Sequence, residues 1–390
     1  MSKISISDAV RYIGCDDHEI DLFESQYRVP HGVSYNSYLI ADEKVAVMDT
    51  VDARVTQEWL ANLERELDSI SRPQPDYLVV SHLEPDHAAN IQRVCEKYPQ
   101  LKLVGSARTF AMLPQFFTMD FSERKVEVKE GDSLCLGSHT LHFYMAPMVH
   151  WPEVMVTYES AEKILFSADG FGKFGTLDTR EDWDCEARRY YMNIVGKYGA
   201  QVQALLKKAA GLDIQTICPL HGPVLRENLA HYLEKYDIWS SYRPEDEGVT
   251  IAYASIHGNT ALAARELAAL LEERGQKVSV FDLARDDLAE AVEDAFRYDR
   301  LVLAAATYDG GLFPCMEDFL YHLKLKNYQK RTVGILENGS WAPLAGKLMR
   351  EYVEGYKECV LVEPVVTIKS ALNAASREQL EQLAQALERV

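Results

Sequence analysis

The segment His82-Leu-Glu84-Pro-Asp86-His87 places four side chains of metal-ligand type within six residues. It directly follows the apolar run Tyr77–Val80, which predicts a short strand that ends in a turn. A turn can direct these side chains at one point, whereas an extended strand sends alternate side chains to opposite faces. Imidazole and carboxylate groups together are typical ligands of iron, manganese or zinc.

Three further candidate ligands follow other predicted strands. They are His150, Asp169 and His221, each in a loop that contains glycine or proline and comes just after a β-rich run. Four strand ends that deliver such ligands are what a site at one edge of a β-sandwich requires. Asp169 is the natural bridge between two cations, because one carboxylate can bind both of them and offset their repulsion.

The last third of the chain contains three loops suited to a phosphate and an aromatic ring. The first loop follows a predicted strand and opens a helix, so its backbone amides and the helix N-terminus can bind a phosphate. It has no Walker lysine, and its glycine spacing is not the dinucleotide fingerprint. In the other two loops, glycines permit close backbone approach and two aromatic side chains can stack on a ring. The candidate binding residues are Ser255, Ile256, His257, Gly258, Asn259 and Thr260, then Thr307, Tyr308, Asp309, Gly310 and Gly311, then Asn338, Gly339, Ser340, Trp341 and Ala342.

The elements that must position these residues differ between the two parts of the chain. Paired β-rich runs in the first ~240 residues predict two packed sheets with helices outside. Proline, glycine and charged residues cluster at Ser241–Gly248, which indicates a linker. From Val249 onward five predicted strands alternate with helices, a pattern typical of a doubly wound parallel sheet. We therefore predict an α/β protein with domains over residues 1–245 and 249–390.

Composition narrows the possible partners and location. The 390 residues suffice for two domains, and the net charge of −19 disfavours binding to nucleic acid or to an anionic membrane. Seven scattered cysteines without a Cys-x-x-Cys pair indicate free thiols in a reducing cytoplasm. The N-terminus does not look like a signal peptide, and no apolar run approaches the ~20 residues of a membrane span. We expect a cytoplasmic protein.

The ligand motif also carries a family resemblance. His-x-Glu-x-Asp-His, followed by His, Asp and His on successive strands, resembles the metallo-β-lactamase fold. Glu84 stands where hydrolases of that fold have histidine, and this residue resembles the flavodiiron subgroup. Tyr35–Ile40, Pro147–Glu153 and Cys218–Val224 match the same family, and the three later loops resemble flavodoxin. The resemblance therefore extends over nearly the whole chain.

Membership of the flavodiiron proteins (A-type flavoproteins, the rubredoxin:oxygen and nitric oxide oxidoreductases) would imply a metallo-β-lactamase-like αββα sandwich followed by a flavodoxin-like doubly wound parallel sheet. FMN in the three loops would pass electrons to a pair of irons that reduces O2 to water, NO to N2O, or both. The family also implies a head-to-tail homodimer or dimer of dimers and a separate electron donor such as rubredoxin. By the same resemblance, one iron would take His82, Glu84 and His150, and the other would take Asp86, His87 and His221, with Asp169 as the bridge.

One departure from the family and two other functions remain open. Some relatives carry Phe-His-Gly where this chain has Phe23-Glu-Ser, so Tyr27 or His31 is a candidate to line the pocket in place of that histidine. A binuclear zinc hydrolase with a flavodoxin-like accessory domain is the main alternative, and Glu84 argues against it. The other is a flavin electron carrier with a relic metal site, against which the intact ligand set argues.

Overall fold

The computed structural model describes residues 4–388, and its internal contacts divide the chain into two compact units. The first unit comprises Met1–Tyr190 and Ala200–Asp237, and the second comprises Tyr191–Gly199 and Ile238–Val390. The first three residues and Arg389–Val390 lie outside the described residues, among them Arg389, the last residue of the helix that the sequence predicts over Ser376–Arg389. Within the described range, every helix is too short or too polar to cross a bilayer.

Two sheets form the centre of the first unit. The strands are β1 (Val10–Tyr12), β2 (Cys15–Asp17), β3 (Leu22–Phe23), β4 (Tyr27–Arg28), β5 (Val33–Tyr35), β6 (Tyr38–Ile40), β7 (Ala46–Met48), β8 (Tyr77–Val79), β9 (Lys102–Ser106), β10 (Lys125–Val128), β11 (Ser133–Cys135), β12 (Thr140–Met145), β13 (Met155–Glu159), β14 (Ile164–Phe166) and β15 (Thr216–Cys218). One sheet has the order β1-β6-β7-β8-β9-β10 and the other has the order β11-β12-β13-β14-β15, while β2 pairs with β5 and β3 with β4.

The two sheets bury their facing side chains in one hydrophobic cluster. Tyr38 and Val79 from the first sheet lie in this cluster with Phe143 and Phe166 from the second. Helices flank the sheets: α1 (Thr56–Ser69), α2 (Pro85–Ala88), α3 (Ile91–Lys97), α4 (Ala107–Phe116), α5 (Trp183–Tyr190), α6 (Gly199–Ala209) and α7 (Leu229–Ser240). The predicted αββα sandwich is confirmed.

The second unit is a single twisted sheet with helices. Its strands are β16 (Asp246–Ala254), β17 (Val278–Asp282), β18 (Tyr298–Tyr308), β19 (Gly311–Leu312), β20 (Thr332–Asn338), β21 (Val360–Leu361) and β22 (Val366–Ile368). Its helices are α8 (Asn259–Glu273), α9 (Leu288–Arg297), α10 (Pro314–Leu325), α11 (Ala345–Glu354) and α12 (Ala374–Glu388). The sheet order is β17-β16-β18-β20-β21 with parallel neighbours, and β22 also pairs with β20. This is the flavodoxin-like order, which confirms the predicted doubly wound sheet.

A buried arginine holds several chain segments together in the second unit. Arg331, just before β20, is 2% exposed, and its guanidinium donates to the carbonyl oxygens of Tyr242 (2.8 Å), Tyr298 (2.7 Å) and Phe296. It also donates to the carbonyls of Gln329 and Lys330, both at 3.1 Å. Burial lowers the pKa of Arg331. The side chain thus satisfies five carbonyl groups at the start of β20.

Candidate functional site

The loop after β8 is held by side chains from a neighbouring strand and by the start of a helix. Asp49, directly after β7, accepts hydrogen bonds at one carboxylate oxygen from the backbone N–H groups of Ser81 (2.7 Å) and His82 (3.3 Å). Pro85 occupies the first position of α2, where its fixed φ favours the helix and its missing N–H costs nothing. The chain therefore turns sharply, and Glu84 precedes the helix that carries Asp86 and His87.

His82, Glu84, His150 and Asp169 form a first ligand set, whose ligand atoms all lie within 4.8 Å of one another. The Nε2 atom of His150 lies 3.0 Å from Glu84 Oε2 and 3.1 Å from Asp169 Oδ2. The Nε2 atom of His82 lies 3.2 Å from Glu84 Oε2 and 3.5 Å from Asp169 Oδ2. Two imidazoles and two carboxylates thus face one point.

Asp86, His87 and His221 form a second ligand set beside the first. Their Nε2 atoms place His87 and His221 3.1 Å apart, and Asp86 Oδ2 lies 3.2 Å from His87 Nε2 and 3.3 Å from His221 Nε2. Asp169 Oδ1 lies 3.2 Å from His87 Nε2. The two oxygens of Asp169 therefore face different ligand sets, and the structure brings all seven residues singled out in the sequence together.

Hydrogen bonds at the opposite ring nitrogen orient two of these histidines. His82 Nδ1 lies 2.8 Å from Glu153 Oε1, and the same oxygen accepts the backbone N–H of Leu83 at 2.8 Å. His221 Nδ1 lies 2.8 Å from the carbonyl oxygen of Ser34. These contacts fix the tautomer in which Nδ1 carries the hydrogen, so the lone pair of Nε2 is free to bind a metal. Sequence reasoning assigned no role to Glu153 or to Ser34.

The loop that carries His221 is held by the segment around β5 and β6. The amide of Asn36 donates to the carbonyl oxygens of Pro219 (2.9 Å) and Gly222 (2.8 Å), and the hydroxyl of Tyr38 donates to Pro219 at 2.6 Å. The three-residue strand β15 alone would not fix this loop, so the buried amide serves as its support.

The charge balance of the site fits bound cations. Both carboxylate oxygens of Asp86 and Oδ1 of Asp169 are buried, and within the described part of the chain no group donates to them in hydrogen-bond geometry, although imidazole Nε2 atoms lie 3.2 Å from Asp169 Oδ1 and 3.2 and 3.3 Å from Asp86 Oδ2. Burial opposes a charge on His87 and His150, yet neighbouring carboxylates raise the pKa of His87 to about 10 and that of His150 to about 9. A buried site that binds protons this tightly provides negative charge that metal cations can neutralise.

Aromatic side chains surround the second ligand set. Phe23 and Tyr190 place their rings 5.5 and 5.4 Å from the ring of His221. The buried hydroxyl of Tyr190 has no hydrogen-bond partner among residues 4–388. Burial and then the carboxylates of Asp169 and Asp86 raise the pKa of Tyr190, so the phenol stays neutral and can donate. Tyr190 carries no recognisable motif, because it lies at the end of α5, a helix that we did not predict.

The two pocket-lining candidates lie in different surroundings. Tyr27 is buried, with its ring 6.3 Å from that of Phe174. The side chain of His31 is 53% exposed, and its Nε2 lies 2.9 Å from a carboxylate oxygen of Glu181. Glu24, to which sequence reasoning gave no role, accepts a hydrogen bond from the side-chain amide of Gln26 at 3.1 Å and lies close enough to Glu84 to feel its charge. Burial and then Glu84 raise the pKa of Glu24 to about 7.

The three loops of the second unit follow β16, β18 and β20, which are adjacent in the sheet. In the first loop, Gly258 has a φ of 92° and precedes the 15-residue helix α8, and its N–H donates to Ser255 Oγ at 3.1 Å. A left-handed residue at this position suits glycine and turns the following backbone amides toward the helix end. The loop therefore fits a phosphate group at the N-terminus of α8.

Several side chains of the later loops support the loops themselves. Thr307 Oγ1 accepts the backbone N–H groups of Leu344 (2.8 Å) and Ala345 (3.0 Å), so it caps α11. The amide of Asn338 exchanges two hydrogen bonds with the backbone of Ser370. Trp341, by contrast, is 92% exposed, and its ring is available to stack on a planar ligand.

Comparison with known proteins agrees with both units. The profile of the ODP family beta lactamase matches residues 33–222, and that of the flavodoxin domain matches residues 250–358. The anaerobic nitric oxide reductase flavorubredoxin of Aliivibrio salmonicida is 30% identical over 353 residues, which cover 87% of this chain and 69% of that protein.

Solved structures show the same fold. The rubredoxin oxygen:oxidoreductase of Desulfovibrio gigas superposes with a TM-score of 0.91 at 28% identity, covering 100% of this chain and 98% of that one. The flavodiiron protein of Giardia intestinalis, at 24% identity, has the same fold, with a TM-score of 0.90 over 100% of this chain and 97% of that one. The resemblance inferred from the ligand motif is confirmed: the chain belongs to the flavodiiron protein family.

Proposed function

We propose that this protein is an oxidoreductase that reduces O2 to water, NO to N2O, or both, at a non-haem di-iron centre supplied with electrons through FMN. The observation that carries the proposal is the position of Asp169, whose two carboxylate oxygens face two separate sets of imidazole and carboxylate ligands. The relatives named nitric oxide reductase and rubredoxin oxygen:oxidoreductase support it.

The proposed ligand sets follow the geometry. His82, Glu84 and His150 would hold one iron, the second set would hold the other, and Asp169 would bridge them. Three carboxylates bring three negative charges against the four positive charges of two ferrous ions, so a buried pair of irons is nearly neutralised. When bound, the irons supply electrons and open coordination positions for a diatomic molecule.

The surrounding residues orient the ligands and the substrate. Glu153 and Ser34 keep the Nε2 atoms of His82 and His221 directed at the centre. The hydroxyl of Tyr190 is a buried donor that lacks an acceptor among residues 4–388, and burial, followed by the charges of Asp169 and Asp86, raises its pKa so that it keeps its proton. We infer that it donates a hydrogen bond to the small molecule bound between the ligand sets.

FMN would bind to the loops after β16, β18 and β20. The N-terminus of α8 and the amides of residues 255–260 would bind its phosphate, and Tyr308 and Trp341 would stack on its ring. When bound, FMN accepts and releases electrons one or two at a time. The side chains of Thr307 and Asn338 already form hydrogen bonds with backbone groups of the protein. We therefore expect these two residues to contact the flavin through their own backbone groups.

Partners and assembly complete the proposal. We expect a separate protein such as rubredoxin to reduce the FMN, and a head-to-tail homodimer or dimer of dimers in which one subunit's flavin lies beside the partner's irons. The seven free cysteines favour a reducing compartment, the cytoplasm.

The decisive experiment measures metal, flavin and gas consumption on the same preparation. The purified protein should contain two irons and one FMN per chain, and the anaerobically reduced protein should consume O2 or NO. The variant His221→Ala should lose gas consumption and keep the flavin spectrum. The matched control is His142→Ala on β12, a histidine paired with Ser160 at 3.3 Å. Two zinc ions per chain with esterase activity and no gas consumption would establish the hydrolase instead.

Electron transfer between subunits can be tested by complementation. Asp86→Asn removes an iron ligand, and Gly258→Val places a side chain at a φ of 92° in the phosphate loop. If electrons cross between subunits, co-expression of the two inactive variants restores roughly a quarter of the activity, because half of the random dimers are mixed and each has one intact pair of sites. No recovery in mixed dimers that are shown to form would place both steps in one subunit.

A further inference from the structure

A buried carboxylate lies at the end of strand β20, next to the third loop of the second unit. Glu337 directly precedes Asn338, the first candidate flavin contact of that loop, and it is 9% exposed. A buried carboxylate loses the hydration of its charge and normally requires compensating partners. Within the described residues, the hydrogen-bond partners of this carboxylate are both uncharged. Its position therefore calls for another explanation than an ion pair.

Each oxygen of Glu337 accepts one hydrogen bond. Oε2 accepts the backbone N–H of Gly346, in the first turn of α11, at 2.8 Å. Oε1 accepts the hydroxyl of Thr367 at 2.9 Å, and Thr367 lies opposite Glu337 in the β20–β22 pair. A Cβ atom on Gly346 would lie 2.9 Å from Cδ and Oε2 of Glu337, so the helix can approach this closely only at a glycine. Glu337 thus joins β20, β22 and α11.

The N-terminus of α11 depends on side chains from other elements. Its N-cap residue, Leu344, forms no side-chain cap. The N–H groups of this helix end are bound instead by Glu337 and by the hydroxyl oxygen of Thr307. A carboxylate is favoured there because the helix dipole places partial positive charge at the N-terminus. At α8 the N-cap is Gly258, which offers no side chain, and that helix end remains available to a phosphate.

The segment after β22 holds the third loop. The N–H of Gly339 donates to the carbonyl oxygen of Ile368 at 3.0 Å, and the hydroxyls of Ser340 and Ser370 are hydrogen-bonded to each other. The next residue is the exposed Trp341, a candidate to stack on the flavin ring. Strand β22 pairs with β20 over three residue pairs. The buried carboxylate lies at the middle pair, so it fixes the segment to which this loop is attached.

We propose that Glu337 is a positioning residue of the flavin site: its carboxylate fixes α11 and β22 against β20 and thereby holds residues 338–342 in the shape that receives the flavin ring. This inference rests on the proposed FMN site. A loop that already has its binding conformation loses less entropy when the ligand binds. The partners of Glu337 lie outside residues 255–260, so its contribution concerns the ring and not the phosphate.

The test compares FMN with riboflavin, which has the same ring and no phosphate. The full-length protein is freed of flavin, and the quenching of flavin fluorescence during titration gives a dissociation constant for each compound. Glu337→Ala should bind both about tenfold more weakly than wild type, because the loop must then be ordered during binding. The ratio of the two dissociation constants should stay within about twofold of the wild-type ratio, because the phosphate contacts are unchanged.

A conservative variant and a control separate the hydrogen bonds from other effects. In Glu337→Gln the amide oxygen can accept from Gly346 and the amide nitrogen can donate to Thr367, so both affinities should return to within about threefold of wild type. Glu351→Ala removes an exposed carboxylate from α11 and should bind both flavins as wild type does. The visible circular dichroism of bound FMN, which reports the surroundings of the ring, should change in Glu337→Ala and not in the control.

A second variant covers the case in which Glu337→Ala does not fold. Thr367→Val removes one of the two hydrogen-bond donors at similar volume, and it should weaken binding of both flavins about threefold. Affinities equal to those of Glu351→Ala would then overturn the positioning role.

The remaining outcomes distinguish this inference from the proposed function. A folded Glu337→Ala that binds both flavins as Glu351→Ala does would overturn the positioning role. Weaker binding of FMN with unchanged binding of riboflavin would also overturn it, since the carboxylate would then act on the phosphate. The same holds if Glu337→Gln binds as weakly as Glu337→Ala, because restored hydrogen bonds would have had no effect. A wild-type protein that binds neither flavin would instead refute the proposed FMN site itself.

Discussion

Replacing Glu153 with glutamine tests how strongly the surroundings of His82 hold the metal centre. Glu153 is 1% exposed, and its Oε1 atom lies 2.8 Å from both His82 Nδ1 and the backbone nitrogen of Leu83. Hydrogen bonds to a charged group contribute about 1.5–3 kcal/mol, against about 0.5–1.5 kcal/mol for neutral pairs. Loss of the charge at two bonds therefore costs about 2 kcal/mol, which corresponds to roughly 30-fold in affinity at ~1.4 kcal/mol per tenfold.

The assay is chelator competition for ferrous iron under anaerobic conditions. Glu153→Gln should bind iron roughly 30-fold more weakly than wild type, within the range for residues that orient a metal ligand. Glu19→Gln, which changes an exposed carboxylate in the same way, is the control. If Glu153→Gln binds iron within threefold of this control, the claim that the carboxylate fixes the tautomer of His82 is wrong.

Three other predictions follow from buried or charged groups. Tyr190→Phe should keep its iron and its thermal stability, because the lost hydroxyl has no partner among the described residues. Its rate of O2 or NO consumption should fall at least about tenfold, as expected for loss of one hydrogen-bond donor to the reacting molecule. An unchanged rate of steady-state gas consumption would remove Tyr190 from the mechanism. Arg331→Met should destabilise the second unit by about 3–5 kcal/mol, because it leaves buried carbonyl groups without a donor. The measurement is the midpoint of urea unfolding, followed through release of flavin. A midpoint equal to that of the exposed control Arg285→Met would contradict this prediction. Hydrogen bonds from His139 are among those that lower the pKa of Asp42 to about 2 against the effect of burial. The stability that this carboxylate contributes is therefore present above pH ~4, the pKa of the unfolded state, and is lost as pH falls toward 2. Acid unfolding of Asp42→Asn should lack this pH-dependent loss of stability, and superposable acid transitions for the variant and wild type would refute it.

Much of the second unit was predictable because alternating strands and helices leave a strong periodic signal. The apolar residues within Arg300–Ala305 predict one of the five strands, and the structure extends it to β18, which runs from Tyr298 to Tyr308. The extension comes from pairing with β16 and β20 on both sides, which a single segment does not encode. The short strand β22 was missed, since three residues carry no periodicity of their own and pairing with β20 alone defines them.

The first unit shows which parts of a site a sequence reveals. The ligands after β8 lie within six residues, so their type and spacing are visible directly. Glu153 and His82 are 71 positions apart in the sequence, and Ser34 and His221 are 187 apart. Contacts between residues so far apart leave no motif that can be recognised in the sequence. Glu24 was noticed only as a departure from relatives, because the two-residue strands β3 and β4 that pair on either side of it carry no periodic signature.

Each ligand set takes residues from loops of both sheets of the sandwich, and this affects when the protein can bind its metal. His87 and His221 are 134 positions apart in the chain, yet their ring nitrogens meet. During synthesis the ribosome completes the first ligand motif long before it makes the last histidine, so an early cation would find only part of its coordination sphere. Iron is therefore expected to bind after the polypeptide has folded. It would then stabilise the folded sandwich by joining its two sheets, and would not be needed to nucleate folding.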